Sequence, residues 1–474
     1  MDLNLTLRLR DLLATYKGLR NDPDLSPQKR GQAFNVLIAD VLKAWGYDAR
    51  PSVIGVGSRD ETDVFFTIGH NYILEAKWEA APLSADPLTK LSERLTTRPP
   101  GTRAIVLSAT GFNSNALEWI NRHNELLLMD NSHLEAALCG LLDPEDLLHG
   151  LYAETAASGN RLVPLADILA PRHAEPDAPV LSPAETAPPP WPIVKARAEG
   201  VNASVEFTGV WQPNEHPSGI NAAPANRLLI TTNAGVVELH TTTGKTKWAL
   251  ALPGTEDRAI QNSDGSVVVL CRGALVRWRP QTRELQLVAG GFGGFATLGV
   301  GHDGTLWVYN QIGGLTSGSV TISRIGERPG DETRHNVPFP NGMRALHLAD
   351  ERHFLSGTGH STLVNVSKNP STGTEDWIES TVPDPRAATS LDEHAVLAAG
   401  IRSSLEGSLH RLDLRHAPAW TELLTFTANR ATDLTVKPIS SARAEVWLLV
   451  DASGNTQNPT PVLVKLDLPT GSPN

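Results

Sequence analysis

Between Arg30 and Arg50 the apolar residues Phe34, Leu37, Ile38, Val41, Leu42 and Trp45 recur at three- and four-residue intervals. That spacing is one face of an amphipathic helix, and Gly46 stands where a left-handed cap would end it. Two β-rich runs follow, DVFFTI (63–68) and YILEAKW (72–78), parted by Gly69, His70 and Asn71. They predict a hairpin. Leu88, Leu91 and Leu95 mark another helix, RAIVLSA (103–109) a strand, Leu117–His123 a helix and LLLMD (126–130) a strand. The order α-β-β-α-β-α-β predicts a single α/β domain.

The pattern changes after residue 170. From Pro171 to Pro192 the chain reads PRHAEPDAPVLSPAETAPPPWP, too dense in proline for helix or sheet and suited to an extended, semi-rigid spacer. Beyond it the helical period vanishes. Short β-rich runs recur instead: RLLITT (227–232), SVVVLC (266–271), TLWVYN (305–310), HFLSGT (353–358), AVLAAG (395–400) and EVWLLV (445–450). Most have a partner run just downstream, such as GVVELHTTTGK or PVLVKLDLPTG. The spacing, roughly 38 to 50 residues, is that of a propeller blade of four antiparallel strands. The expected architecture is therefore multidomain. An α/β domain occupies residues 1–170, a linker 171–192 and an all-β propeller 193–474, with six blades or seven. The stretch 194–211 is available to close the ring against the last blade. A non-repeating β-sandwich is the alternative.

Composition narrows the function classes. The 474 residues are 40% hydrophobic with a net charge of -11, which excludes a mostly disordered chain and a surface basic all over, though not a local basic cleft. Cys139 and Cys271 are the only cysteines, too few for a disulfide framework or a cysteine metal site. The N-terminal MDLNLTLRLRDLLATYKGLR alternates leucine with charge. It reads as neither signal peptide nor membrane span, and the expectation is a soluble cytoplasmic protein.

The hairpin carries the chemistry. Residues two apart on a strand share a face, so Glu75 and Lys77 point the same way. If the hairpin folds symmetrically about His70, Asp63 lies opposite Lys77 on that face. Two carboxylates beside a backbone carbonyl suit Mg²⁺ or Mn²⁺, and a neighbouring lysine can orient or help deprotonate a water and stabilise an anionic transition state. That is equipment for phosphodiester hydrolysis. Glu75–Lys77 is the sole acid-x-lysine triplet in the chain. The competing reading is a solvated face whose ion pairs contribute under about 1 kcal/mol each.

These residues resemble a family. From Arg30 to about Gly140 the chain is similar to the PD-(D/E)xK restriction-endonuclease-like nucleases of the Mrr type. RGQAFNVLIADVLKAWGY resembles the first helix, Asp63 the motif aspartate and ILEAKW the Glu-x-Lys strand. TRAIVLSATGFNSNALEWI and LLLMDNSHL follow in the family's order. The resemblance implies DNA cleavage with Mg²⁺ or Mn²⁺, with Asp63, Glu75 and the carbonyl of Ala76 as metal ligands and Lys77 as the catalytic lysine. Many relatives carry a Phe-Glu pair on the first helix; here it is Phe34-Asn35, which puts a second metal in doubt. Lys90 stands where relatives often keep a basic or amide residue near the site. Arg94, Arg98 and Arg103 are candidates for phosphate contacts. Related nucleases often act as homodimers.

In the second half, Thr243-Gly244-Lys245-Thr246-Lys247-Trp248 resembles the turn of quinoprotein-like propeller repeats. It implies a structural turn and an inter-blade tryptophan, not a quinone. Propellers commonly bind a partner on one face, so the expected role is a defence-type DNA endonuclease whose propeller senses or recruits an unidentified protein or ligand. Two alternatives stay open. One is a propeller scaffold whose nuclease-fold domain binds nucleic acid without cutting. The other is a propeller enzyme such as a lactonase or dehydrogenase.

Overall fold

A computed structural model describes residues 3–54, 61–123, 126–170, 178–183, 194–209, 217–293, 295–301, 304–311, 319–338, 344–347, 352–357, 360–365, 374–379, 385–392, 395–403, 406–414, 419–427, 430–440, 443–451 and 461–469. Helix α1 (Leu3–Asn21) buries Thr6, Leu9, Leu13, Tyr16 and Leu19 along one stripe. Helix α2 (Pro27–Ala44) starts where Ser26 accepts from the Lys29 amide and Pro27 occupies the first turn, a position that needs no amide donor. Its face of Phe34, Leu37, Ile38, Val41 and Leu42 is buried as the spacing predicts. Gly46, at φ 97°, turns the chain into β1 (Asp48–Ile54).

Strands β1, β2 (Glu61–Ile68), β3 (His70–Lys77), β4 (Arg103–Ser108) and β5 (Leu126–Asp130) form one sheet in that order. β1–β3 pair antiparallel, whereas β4 and β5 add in parallel. Side-chain alternation splits the core in two. Leu74, Ile105, Leu107, Leu127 and Met129 pack on α2, while Ile73, Ala104, Val106, Leu126 and Leu128 pack on α3 (Ala85–Thr96) and α4 (Ser114–Ile120). Helices α5 (Asn131–Leu138), α6 (Pro144–Ser158) and α7 (Leu165–Leu169) follow. Helix α1, edge strand β1 and the last three helices add to the α-β-β-α-β-α-β order expected.

The second half is a propeller of antiparallel sheets. Among the described residues six sheets succeed one another. The innermost strand of each lies against that of the next, and Arg430–Ser440 lies against Pro217–Ala223 to close the ring. Each of the six sequence runs forms the second strand of one sheet. Three short segments upstream, β6 (Leu181–Pro183), β7 (Val194–Ala196) and β8 (Asn202–Gly209), also join sheets. β8 pairs with Pro461–Pro469 and β7 with Ala419–Thr427, so the described part of 194–211, residues 194–209, supplies outer strands to the last two sheets. β6 corrects the expectation of a spacer without sheet: it adds to the edge of β8. Leu181 is buried there, and Pro183 ends an edge strand, where no amide is needed. Residues 171–177 and 184–193 lie outside the described residues.

The two halves pack directly. One apolar cluster runs from Leu13, Leu138 and Cys139 to Val276, Leu285 and Leu287 of the propeller. Glycine makes the approach close: a Cβ on Gly290 would stand 2.3 Å from that of Cys139, and one on Gly293 2.3 Å from the Thr6 hydroxyl. Arg20 pairs with Asp331 at 2.5 Å, and Arg283 reaches the Ala170 carbonyl at 3.3 Å.

Candidate active site

The β2–β3 ladder pairs Val64 with Leu74, Phe66 with Tyr72 and Ile68 with His70. Its centre is therefore Gly69, at φ 63°, not His70. A left-handed residue at a one-residue reversal favours glycine, which has no Cβ to clash. The corrected register moves the cross-strand partners along by two positions, so every side chain keeps its face. Continued past Val64, it sets Asp63 opposite Glu75 rather than Lys77. Asp63 instead uses its side chain to extend the ladder, accepting from the Ala76 amide at 2.9 Å.

The expected residues converge. The Lys77 ammonium lies 2.6 Å from Glu75 Oε1 and 3.4 Å from Asp63 Oδ2. Asn35, brought in by the buried face of α2, donates from Nδ2 to Asp63 Oδ1 at 3.2 Å. Its Oδ1 is buried with no hydrogen-bond partner. Burial by itself would lower the Lys77 pKa, but the charges of Glu75 and Asp63 outweigh it and hold the group above its ordinary value. Lys77 is therefore a cation in the site as it stands. Its carbonyl accepts from the Ala109 amide at 2.9 Å, fixing β3 to the end of β4. Trp78 packs beyond it, 4.9 Å from the Phe34 ring and 5.8 Å from Tyr16.

The arginines behave differently from one another. Arg94, on the last turn of α3, lies 2.9 Å from Glu75 Oε2, and the same nitrogen donates to the Glu61 carbonyl at 2.9 Å. Arg98 reaches the Thr62 hydroxyl at 3.4 Å. Arg103 pairs in register with Tyr72, about 17 Å along β3 from Lys77, and stacks 4.1 Å over Tyr152. It lies at the other end of the sheet from the cluster. Lys90 is exposed on α3, with no ion pair to the cluster among the described residues.

The link from Arg94 to Glu75 was missed by sequence reasoning. The available signal was its position between Leu91 and Leu95, at the edge of the face that α3 turns to the sheet. Two carboxylates and two cations thus share one spot, and the cations carry the charge of one divalent ion. Among the described residues no three His, Cys, Asp or Glu gather at one place. A metal here would depend on the two carboxylates, the Ala76 carbonyl and the unpartnered Asn35 Oδ1, a donor set of hard oxygens that fits Mg²⁺ or Mn²⁺.

Residues 28–138 match the Mrr_cat family model, described as restriction endonuclease. The N-terminal α/β domain is thus restriction-endonuclease-like, and it is followed by an all-β propeller. No curated protein matches the chain. Solved structures similar to it include a PQQ-bound aldose sugar dehydrogenase from Streptomyces coelicolor. The alignment has 15% identity and a TM-score of 0.39, and covers 59% of this chain and 100% of that one. A gluconolactonase from Xanthomonas campestris aligns at 15% identity and a TM-score of 0.40, covering 62% and 99%. The N-terminal domain of Nup159 aligns at 11% and 0.35, covering 58% and 98%. No helix among the described residues is long and apolar enough to cross a membrane.

Proposed function

We propose that this protein is a divalent-metal-dependent DNA endonuclease whose propeller recruits or senses a target. The observation that carries the reading is the convergence of Asp63, Glu75 and Lys77 at one end of the sheet, with Asn35 on Asp63, inside the segment that matches restriction endonucleases. Asp63, Glu75 and the Ala76 carbonyl would hold Mg²⁺ or Mn²⁺, which supplies Lewis acidity toward a phosphoryl oxygen and acidifies a water. The chain's own groups do the rest. Asn35 and the Ala76 amide hold the Asp63 carboxylate in one orientation. Lys77, kept cationic by its neighbours, stabilises negative charge building on a phosphate in the transition state. Trp78, next after Lys77, packs on Phe34 and Tyr16 and anchors the end of β3 in the core.

The propeller is a rigid disk suited to holding a partner. We assign it the recognition of a protein or modified nucleic acid, in a cytoplasmic defence role of the type IV restriction kind. A homodimer would cut both strands. The test is cleavage of supercoiled plasmid by the full chain with Mg²⁺ or Mn²⁺, beside Lys77→Ala and a chelator control. Nicked and linear products that vanish in the variant and with chelator support the nuclease. Equal cleavage by both proteins would reject this site.

A second reading has its own observation: both Glu75 oxygens are already occupied by cations. A domain that binds nucleic acid without cutting it fits such a site. It would show duplex binding and no metal-dependent product.

A further inference from the structure

We propose that Arg94 is a positioning residue that competes with the divalent ion for Glu75, and so couples metal binding to DNA binding. This rests on the metal-site reading above and deepens it. Glu75 is 13% exposed, and each oxygen meets one cation: Lys77 at 2.6 Å on Oε1 and Arg94 at 2.9 Å on Oε2. The two cations differ in how they are held. Lys77 stands on the same strand as Glu75 and also contacts Asp63. Arg94 comes from α3 and, among the described residues, has one other bond, to the exposed Glu61 carbonyl at 2.9 Å.

An ion that takes the Oε2 lone pair facing Arg94 displaces the guanidinium, because a donor N–H and a metal cannot occupy the same lone-pair direction. The displaced Arg94, 21% exposed, then presents its planar fork at the mouth of the site, where the matching anion is a backbone phosphate. The exchange also runs in reverse. A phosphate that draws Arg94 away frees Glu75 for the ion, and linkage makes the two effects equal in size. Without DNA the ion is held weakly, so the site is restrained until its substrate arrives.

The experiment uses the full chain. Mn²⁺ binding is measured by isothermal titration for wild type, Arg94→Gln, Arg94→Lys, Arg98→Gln and Glu75→Gln, with melting curves recorded alongside. Short-duplex binding is then followed by fluorescence anisotropy with and without Ca²⁺, another cation that seeks hard oxygens. Arg94→Gln is expected to bind Mn²⁺ about 5- to 10-fold more tightly, within the usual range for coupled sites, and to lose the gain in duplex affinity that Ca²⁺ gives wild type. Arg94→Lys keeps the charge and should restore part of the coupling. Arg98→Gln, a charge change on the neighbouring arginine, should leave Mn²⁺ affinity unchanged.

Equal tightening by Arg98→Gln would show general electrostatics and overturn the proposal. So would unchanged or weaker Mn²⁺ binding by Arg94→Gln when Glu75→Gln still abolishes it. In that second case the metal reading survives. Mn²⁺ binding that Glu75→Gln leaves intact, or no binding by either wild type or Arg94→Gln, removes the metal reading itself and the coupling with it.

Discussion

At the residue scale the site is a set of exchanges of charge and hydrogen bonds around Asp63 and Glu75. Asn35 shows why the amide matters: one end holds Asp63 and the other is a buried oxygen with no partner. Asn35→Leu removes both, so the lost hydrogen bond and the relieved orphan offset each other to within about 1 kcal/mol. The melting temperature is expected to change little, while Mn²⁺ affinity measured by titration falls several-fold. An unchanged Mn²⁺ affinity would mean that Asn35 has no part in holding the ion. Asp63, Glu75 and Lys77 were legible in the sequence because strand alternation fixes a face even when the hairpin centre is misplaced from Gly69 to His70. The partner of Arg94 was not, because it depends on where α3 docks against the sheet, which the residues of α3 do not specify.

At the element scale, local rules explain which pieces were readable. The regular apolar stripe of α2 announced itself, as did the β-rich runs that became β2 and β3. β1 did not: in DARPSVI the polar Arg50 and the proline at 51 interrupt the pattern, which an edge strand tolerates. α1 was hidden because Leu3, Leu5 and Leu7 alternate with polar residues, while its true stripe lies at Leu9, Leu13, Tyr16 and Leu19. The chain from β5 into α5 offers a pH test. Asp130 caps α5, accepting from the Ser132 amide, and its Oδ1 lies 2.9 Å from His133 Nδ1. Burial would raise its pKa, but the bond and charge of His133 and the bonds from Ser132 prevail, bringing it from 3.8 down to about 2. A carboxyl depressed in the folded state stabilises fully above its unfolded value and loses that contribution as pH falls through the folded one. Urea unfolding should therefore show stability dropping as pH falls from about 4 to about 2, with a shallower drop in Asp130→Asn. Parallel profiles for the two proteins would remove Asp130 from the account.

At the scale of the whole molecule, the proline-rich run suggested two bodies on a tether, yet the halves share one apolar cluster. Sequence could not show this, because α1 and the Gly290–Gly293 turn are unremarkable until they meet. The expectation is a single cooperative transition in calorimetry. Gly290→Val would drive side-chain atoms into the Cys139 backbone, whose Cα lies 2.5 Å from the position of a Cβ there. That variant should split the transition or lower its midpoint by several degrees, roughly the effect of a few kcal/mol in a chain this long. Two transitions in wild type would show that the halves unfold independently.

The central claim is that Asp63, Glu75 and the Ala76 carbonyl hold a divalent ion. Its most direct test is the anomalous scattering of Mn²⁺ in crystals of the full chain grown with a short duplex and the Lys77→Ala variant. A peak is expected roughly 2.1 Å from an oxygen of each carboxylate, the distance usual for a small hard cation of this kind, with Arg94 withdrawn from Glu75. A peak elsewhere, or none at these residues with the metal in excess, would contradict it.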